Sequence, residues 1–449
     1  MKTFTRRFAW TTIGMGLTAI QCIAQSTYTP YTFSTVAGRP PLWGTVDGVG
    51  DAALFHQPFD VAVDNAGDLY VADTINNTIR KMTQVETNWM VTTLAGLAGV
   101  PGSTDGVGTA ARFFYPRGLA VDNTGNVYVA DFQSHVIRKM TQVGTNWMVT
   151  TLAGLAGNPG SADGIGSAAR FHEPFGMAVD STGSVYVGDY YNNTIRRMTQ
   201  AGTNWTVTTL AGLAGNRGST DAMGTEARFY APSGVALDNA GNVYVGDHLN
   251  HTIRKMTPVG TNWMVTTLAG LALNPGSVDG TGSDARFSYP LGVAVDGAGN
   301  VYVVDQMNNE IRRVTPAGVV TTLAGLVGSV GSMDGTGSDA HFNYPAGIEV
   351  DTAGNIYVAD NFNNAVRKGY PAAEAPAFIV ISGPAFGLTG VQFGFNLSGP
   401  DGQSVVVEAS SDLLSWLGIW TNTFAGDPLN FGDPEGGAHS NRFYRARLP

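Results

Sequence analysis

The side chains of this chain that could do chemistry come in sixes. An Asp is followed seven residues later by an Arg at Asp73 and Arg80, Asp131 and Arg138, Asp189 and Arg196, Asp247 and Arg254, Asp305 and Arg312, and Asp360 and Arg367. One such pair would read as a carboxylate-binding unit. Six equivalent pairs read as architecture, because an active site uses one asymmetric set, and we expect inter-strand ion pairs or turn caps. A second acidic series is Asp47-Gly48, Asp105-Gly106, Asp163-Gly164, Asp279-Gly280 and Asp334-Gly335, with Asp221-Ala222 deviating. Asp and Gly can build an oxygen cage for calcium, but one carboxylate per loop falls short of the roughly six to eight oxygens that ion takes. Turn chemistry is therefore preferred over calcium, and no cofactor is assigned. The histidines are His56, His135, His172, His248, His251, His341 and His439. His248 and His251 are three apart on an expected turn rather than a helix, so no metal site is assigned. His56 and His172 hold equivalent pre-proline positions that would line a central funnel. No GxSxG elbow, HExxH helix or phosphate loop is present, and no catalytic residue is assigned.

The elements that must position these groups follow from a repeat. Six segments read alike: VDNAGDLYVAD 63–73, VDNTGNVYVAD 121–131, VDSTGSVYVGD 179–189, LDNAGNVYVGD 237–247, VDGAGNVYVVD 295–305 and VDTAGNIYVAD 350–360. Their final Asp residues are spaced 58, 58, 58, 58 and 55 apart, the short step coming from VTPAGVVTTLAG 314–325, which lacks a Thr-Asn-Trp insertion. Each unit holds four strand-like runs, in the second unit GLAVD 118–122, NVYVAD 126–131, VIRKMT 136–141 and NWMVTTLAG 146–154. Asn123-Thr124-Gly125 predicts a tight hairpin. The first two runs are apolar on both faces, so each sheet needs a neighbour on either side. Four antiparallel strands, repeated six times and stacked face to face, predict a six-bladed β-propeller. The sixth unit has no TTLAG-type strand of its own, whereas Ser34-Thr35-Val36-Ala37-Gly38 is a spare copy ahead of the first unit. The N-terminal strand, residues 31–38, is thus expected to close the ring and remove its open edges.

FYPRGLAVDNTGNVYVADFQSHVIRK 114–139 and APSGVALDNAGNVYVGDHLNHTIRK 231–255, with Asn250-His251 at the signature position, resemble the NHL repeat. The resemblance covers residues 31–368 and implies a six-bladed propeller without implying one activity, since similar propellers serve as recognition platforms, sensor domains and a few enzymes.

Composition sets the remaining bounds. Hydrophobic residues make up 43 % of the 449, which excludes a wholly disordered chain. Charged residues make up 13 %, which excludes a long exposed helix. Residues 1–8 carry Lys2, Arg6 and Arg7, residues 9–24 are mostly apolar, and Cys22-Ile23-Ala24 suits signal-peptidase cleavage. Residues 1–24 therefore read as a secretory signal peptide, pointing to a secreted, periplasmic or cell-surface bacterial protein. Removing them takes away three positive charges, carrying the formal net charge from −10 to −13, and also the single cysteine. An acidic chain is a poor partner for nucleic acid. No further apolar run is long enough to span a membrane.

The domain reading is 1–24 signal peptide, 25–370 propeller, 371–377 linker (around Pro371-Ala372-Ala373-Glu374-Ala375-Pro376) and 378–449 a small β-sandwich. The last rests on six short runs: FIVIS 378–382, VQFGFNL 391–397, SVVVEAS 404–410, WLGIWTN 416–422, LNFGD 429–433 and RFYRARL 442–448. It is similar, loosely, to the fibronectin-type-III-like modules of secreted bacterial proteins.

Divergence among the six copies gathers at one end, in the connections after the second strand and between units, while the opposite turns are nearly identical. The candidate binding rim is Phe59, Arg117, Phe132, Phe175, Tyr190, Tyr191, His248 and Phe362, read as exposed aromatics beside a central depression. The function expected is a non-catalytic interaction protein that binds a protein, peptide or glycan. Two alternatives are an extracellular metal-assisted lyase or hydrolase with its site in the central channel, implied only by similar propellers, and a purely structural envelope component.

Overall fold

The computed structural model describes residues 30–371 and, beyond them, 387–389, 392–397, 404–410, 417–423, 429–433 and 443–447. Residues 1–24, with the signal-peptide expectation, lie outside the described residues, as do the FIVIS run and most of the expected linker.

Among the described residues, 30–371 form six antiparallel sheets arranged as a propeller. In blade two the strands run outward from the inner Pro116–Val121 through Val127–Asp131 and Val136–Val143 to Asn146–Gly154. Each sheet then has a fifth, two-residue strand at its outer edge, which corrects the expectation of four. In blade two this is Gly106–Val107, paired to Val149 and Met148. It comes from the Asp-Gly loop, so those loops do more than turn: they wrap the outer edge of the blade that follows them. The expected hairpin forms at Asn123-Thr124-Gly125, closed by the Gly125 N–H on the Asp122 carbonyl at 2.9 Å, and the Asp122 carboxylate accepts the Thr124 and Asn126 N–H groups at 2.9 Å and the Tyr128 hydroxyl at 3.1 Å.

The ring closes as expected. Tyr31–Ala37 is the fourth strand of blade six, lying between Ala365–Pro371 and the short Gly335–Thr336. Stacking explains why. The apolar clusters join successive blades: Tyr128 meets Trp205 of the next blade edge to face at 6.0 Å, and the pairs Tyr70–Trp147, Tyr186–Trp263 and Tyr357–Trp89 repeat the contact. Blade six has no such Trp, and Tyr31 fills the slot, its ring 6.3 Å from Tyr302. One cluster joins Ala37, Val61 and Trp89 to Tyr357 and Val366, tying first blade to last.

The described C-terminal strands belong to a separate unit. They form two three-stranded sheets, one of Gly387–Thr389, Gln392–Leu397 and Leu429–Asp433, the other of Leu417–Thr423, Ser404–Ser410 and Phe443–Arg447. Trp420 and Phe431, one from each sheet, meet with ring centres 5.6 Å apart.

Candidate functional site

The repeated Asp–Arg pairs are structural, as read from the sequence. Arg138 is fully buried, and its guanidinium bridges buried Asp131 at 3.0 Å and half-exposed Asp105 at 2.6 Å. It also donates to the Arg112 and Thr104 carbonyls and lies over the Phe113 ring. Asp131 accepts the Phe114 N–H at 2.7 Å, and Asp105 the Thr151 N–H at 3.0 Å. Burial pushes the Asp131 carboxyl up, to about 7, against the pull of Arg138 and Phe114. The Arg138 guanidinium itself stays protonated. The other five blades repeat this Asp–Arg–Asp unit. Both carboxylate series thus serve one purpose: they pin the second strand, the third strand and the outer loop together.

At the variable end, each second-to-third-strand turn closes on a left-handed residue: Asn77, His135, Asn193, His251, Asn309 and Asn364, with φ between 54 and 60°. The side chain then accepts a backbone N–H from the next blade's pre-proline residue, as in Tyr115 to Asn77 Oδ1 at 2.9 Å and Glu173 to His135 Nδ1 at 3.1 Å. His135 and His251 therefore stand in for Asn as inter-blade staples and must be neutral at Nδ1 to do so. Burial lowers both pKa values. His56 stacks on Trp43, and His172 on Tyr191. Neither lines the mouth of the channel, contrary to the sequence expectation.

The eight candidate rim residues divide. Tyr191 and Phe362 are exposed, at 54 % and 45 %. Phe132 and Phe175 are buried, which corrects their reading as exposed aromatics. With partly buried Phe59 they surround the Arg117 guanidinium, whose carbon lies 3.7 Å from the Phe132 ring centre, 4.7 Å from Phe59 and 5.2 Å from Phe175. Tyr190 stacks on Phe175 at 5.2 Å and meets His248 edge to face at 5.9 Å. The aromatic run crosses blades two to four. The corresponding positions elsewhere carry Thr74, Gln306 and Asn361, of which Thr74 and Asn361 donate to the Pro116 and Pro58 carbonyls of the neighbouring inner strands.

This cluster separates two spaces. Above it is a mouth of about 370 Å³, walled by Phe59, Tyr115, Arg117, Tyr190, His248 and Tyr344, among others. Below it is the central channel, about 180 Å³, lined by the six inner strands. Those strands approach so closely that a Cβ on Gly292 would stand 2.5 Å from the Ala346 carbonyl oxygen. Burial lowers Arg117 to about 10 and His248 to about 3, the latter helped by the nearby charges of His251 and Arg117.

The channel holds two residues that the sequence reading passed over. The inner-strand glycine of blades two to six (Gly118, Gly176, Gly234, Gly292, Gly347) is Asp60 in blade one, and the alanine of blades one to five (Ala62, Ala120, Ala178, Ala236, Ala294) is Glu349 in blade six. The signal was available, as a single break in each of two otherwise regular columns. Asp60 accepts the Val61 N–H at 2.9 Å and the Leu119 N–H of the next blade at 2.8 Å. Burial pushes both carboxyls up, Glu349 to about 7. Among the described residues, no group of three or more His, Cys, Asp or Glu is placed to hold a metal ion.

Comparison with known proteins agrees with the repeat. The NHL repeat model matches residues 55–82, 113–140 and 342–368, and the teneurin NHL domain model matches 158–336. This chain carries NHL repeats. NHL repeat-containing protein 2 of Bos taurus is 31 % identical over 300 residues, covering 60 % of this chain and 40 % of that protein. Protein SUPPRESSOR OF QUENCHING 1, chloroplastic, of Arabidopsis thaliana is 28 % identical over 294 residues, covering 61 % of this chain and 26 % of its own length. The NHL-repeat chain thus spans under half the length of these curated relatives. A solved structure from Bacteroides ovatus, described as an auxiliary nutrient binding protein, superposes with a TM-score of 0.58 at 21 % identity, covering 77 % of this chain and 78 % of that one. That likeness establishes the shared propeller fold.

Proposed function

We propose that this NHL-repeat propeller is a non-catalytic binding protein that takes its ligand at the mouth on the variable loop end. One observation carries the reading: the blades are regular in their Asp–Arg–Asp pins and bottom turns, yet one end departs from that symmetry with an aromatic-walled cavity of about 370 Å³. That volume suits a small molecule or a single protruding group of a protein, peptide or glycan. Tyr191 and Phe362 extend the apolar surface outward from it. Export by residues 1–24 and a spacer role for the C-terminal unit, as a small sandwich, belong to the same proposal. A pull-down and glycan array with Tyr190→Ala, Tyr191→Ala and Phe362→Ala tests the site. Loss of the captured ligand is expected, and unchanged capture would move the site elsewhere. Cell fractionation with and without residues 1–24 tests export.

A second reading draws on Asp60 and Glu349. A carboxyl held near pH 7 in an enclosed channel is suited to acid–base work, and an extracellular lyase or hydrolase would use it there. Against this, both Asp60 oxygens already accept backbone N–H groups. Metal analysis of the purified protein separates the readings: a stoichiometric ion removable by chelator favours the enzyme.

A further inference from the structure

Arg117 differs from the six pinned arginines in the one respect that matters for a cation. Arg80, Arg138, Arg196, Arg254, Arg312 and Arg367 each meet two carboxylates within 3.0 Å. Among the described residues, no ion pair or hydrogen bond reaches the Arg117 guanidinium; its unpartnered Nε is a feature the six pinned arginines share. Glu173 acts on Arg117 through its charge, while one of its carboxylate oxygens accepts from Gln133 Nε2 at 2.9 Å. The neighbouring His248 Nδ1 is likewise buried and unpartnered. Both side chains wall the same mouth.

Three aromatic rings hold Arg117 by their faces, which leaves the edge of the guanidinium, where its N–H donors lie, unoccupied. Arg117 is partly buried with no carboxylate in contact, Glu173 acting on it only through its charge, and a methionine would keep the packing on the rings. Blades three to six carry Phe175, Ser233, Leu291 and Ala346 at the same position, so the repeat does not need an arginine there. Resting on the reading of the mouth as the binding site, we propose that Arg117, with His248 beside it, is an oxyanion receptor. The ligand it fits carries a carboxylate or phosphate group on a flat apolar body. The anion takes the guanidinium edge in bidentate fashion while the body lies among Tyr115, Tyr190 and Tyr344.

The test is calorimetric titration of the full chain with benzoate, phenyl phosphate and the uncharged benzamide. At least one anion is expected to bind ten-fold or more tightly than benzamide, and the stronger anion identifies carboxylate or phosphate as the natural group. Arg117→Met is expected to remove that advantage while melting no lower than the wild type, and Arg117→Lys to keep part of it. A structural arginine would instead show a lowered melting temperature in Arg117→Met. Equal affinity for benzoate, phenyl phosphate and benzamide overturns the inference, whether or not Arg117→Met folds. If all three bind equally and Tyr190→Ala abolishes them, the mouth stands as the site and the oxyanion receptor falls. If none binds, the receptor also falls, and the pull-down decides the mouth separately.

Discussion

The seams of the blades and the mouth of the channel use the same residue in opposite ways. In a seam, Arg138 is fixed by Asp131, Asp105 and two carbonyls, and its copies recur round the ring. At the mouth, Arg117 is single, caged by rings and without a carboxylate in contact, Glu173 acting on it only through its charge. A buried cation that is paired on every side belongs to the fold. One that is partly buried, with no carboxylate in contact, is available to something outside it.

Several substitutions would break or sharpen that contrast. Asp131→Ala removes the buried one of the two carboxylates on Arg138 and should cost about 3–5 kcal/mol, read as a lower denaturant midpoint at pH 7. An equal loss from Arg117→Met would erase the distinction. Glu349→Gln should stabilise the chain at pH 8 by on the order of 1–2 kcal/mol. The sign follows from the raised pKa: the neutral form of Glu349 supports folding below its unfolded value of 4.5, and that support is lost as pH rises through about 7. The difference between variant and wild type should vanish near pH 4.5, as thermal melts across pH would show. The paired change His135→Asn and His251→Asn should matter less, by below about 1 kcal/mol, and with the opposite slope. Both histidines have lowered pKa values, so their contribution is present above 6.5 and lost as pH falls through the folded values. The asparagine variant should therefore lose less stability than wild type between pH 7 and 5. Tyr191→Ala, at an exposed position, should change stability by no more than about 0.5 kcal/mol while weakening ligand capture.

The ring was legible because repetition makes patterns redundant. Six copies of a strand–turn–strand unit show the blade count, and the spare Ser34–Gly38 copy shows the closure. The fifth strand was not legible. Gly106–Val107 has only two residues and pairs to a strand some forty positions later, so no local periodicity marks it. The Asp–Arg partnership was readable from its fixed interval, but the second carboxylate, Asp105, sits 33 residues from Arg138 and needed the fold. Of the rim residues, Phe59, Arg117, Phe175, Tyr190, His248 and Phe362 line one mouth. Sequence variability could not tell buried Phe132 from exposed Tyr191, because turning inward or outward at adjacent turn positions is decided by packing against the next blade. Asp60 and Glu349 were hidden for a different reason: each unit was compared for what it shared with the others, and both residues are departures from that consensus.

The ring's clasp has a kinetic side. Tyr31 pairs with Pro371 across nearly the whole length of the propeller, so the ribbon that finishes the last blade is made long before its partners exist. During synthesis, that segment waits with an unpaired edge until the final blade arrives. Assembly must end with the joining of the earliest and latest parts, and until then every partly built arc is open to pairing with a second chain.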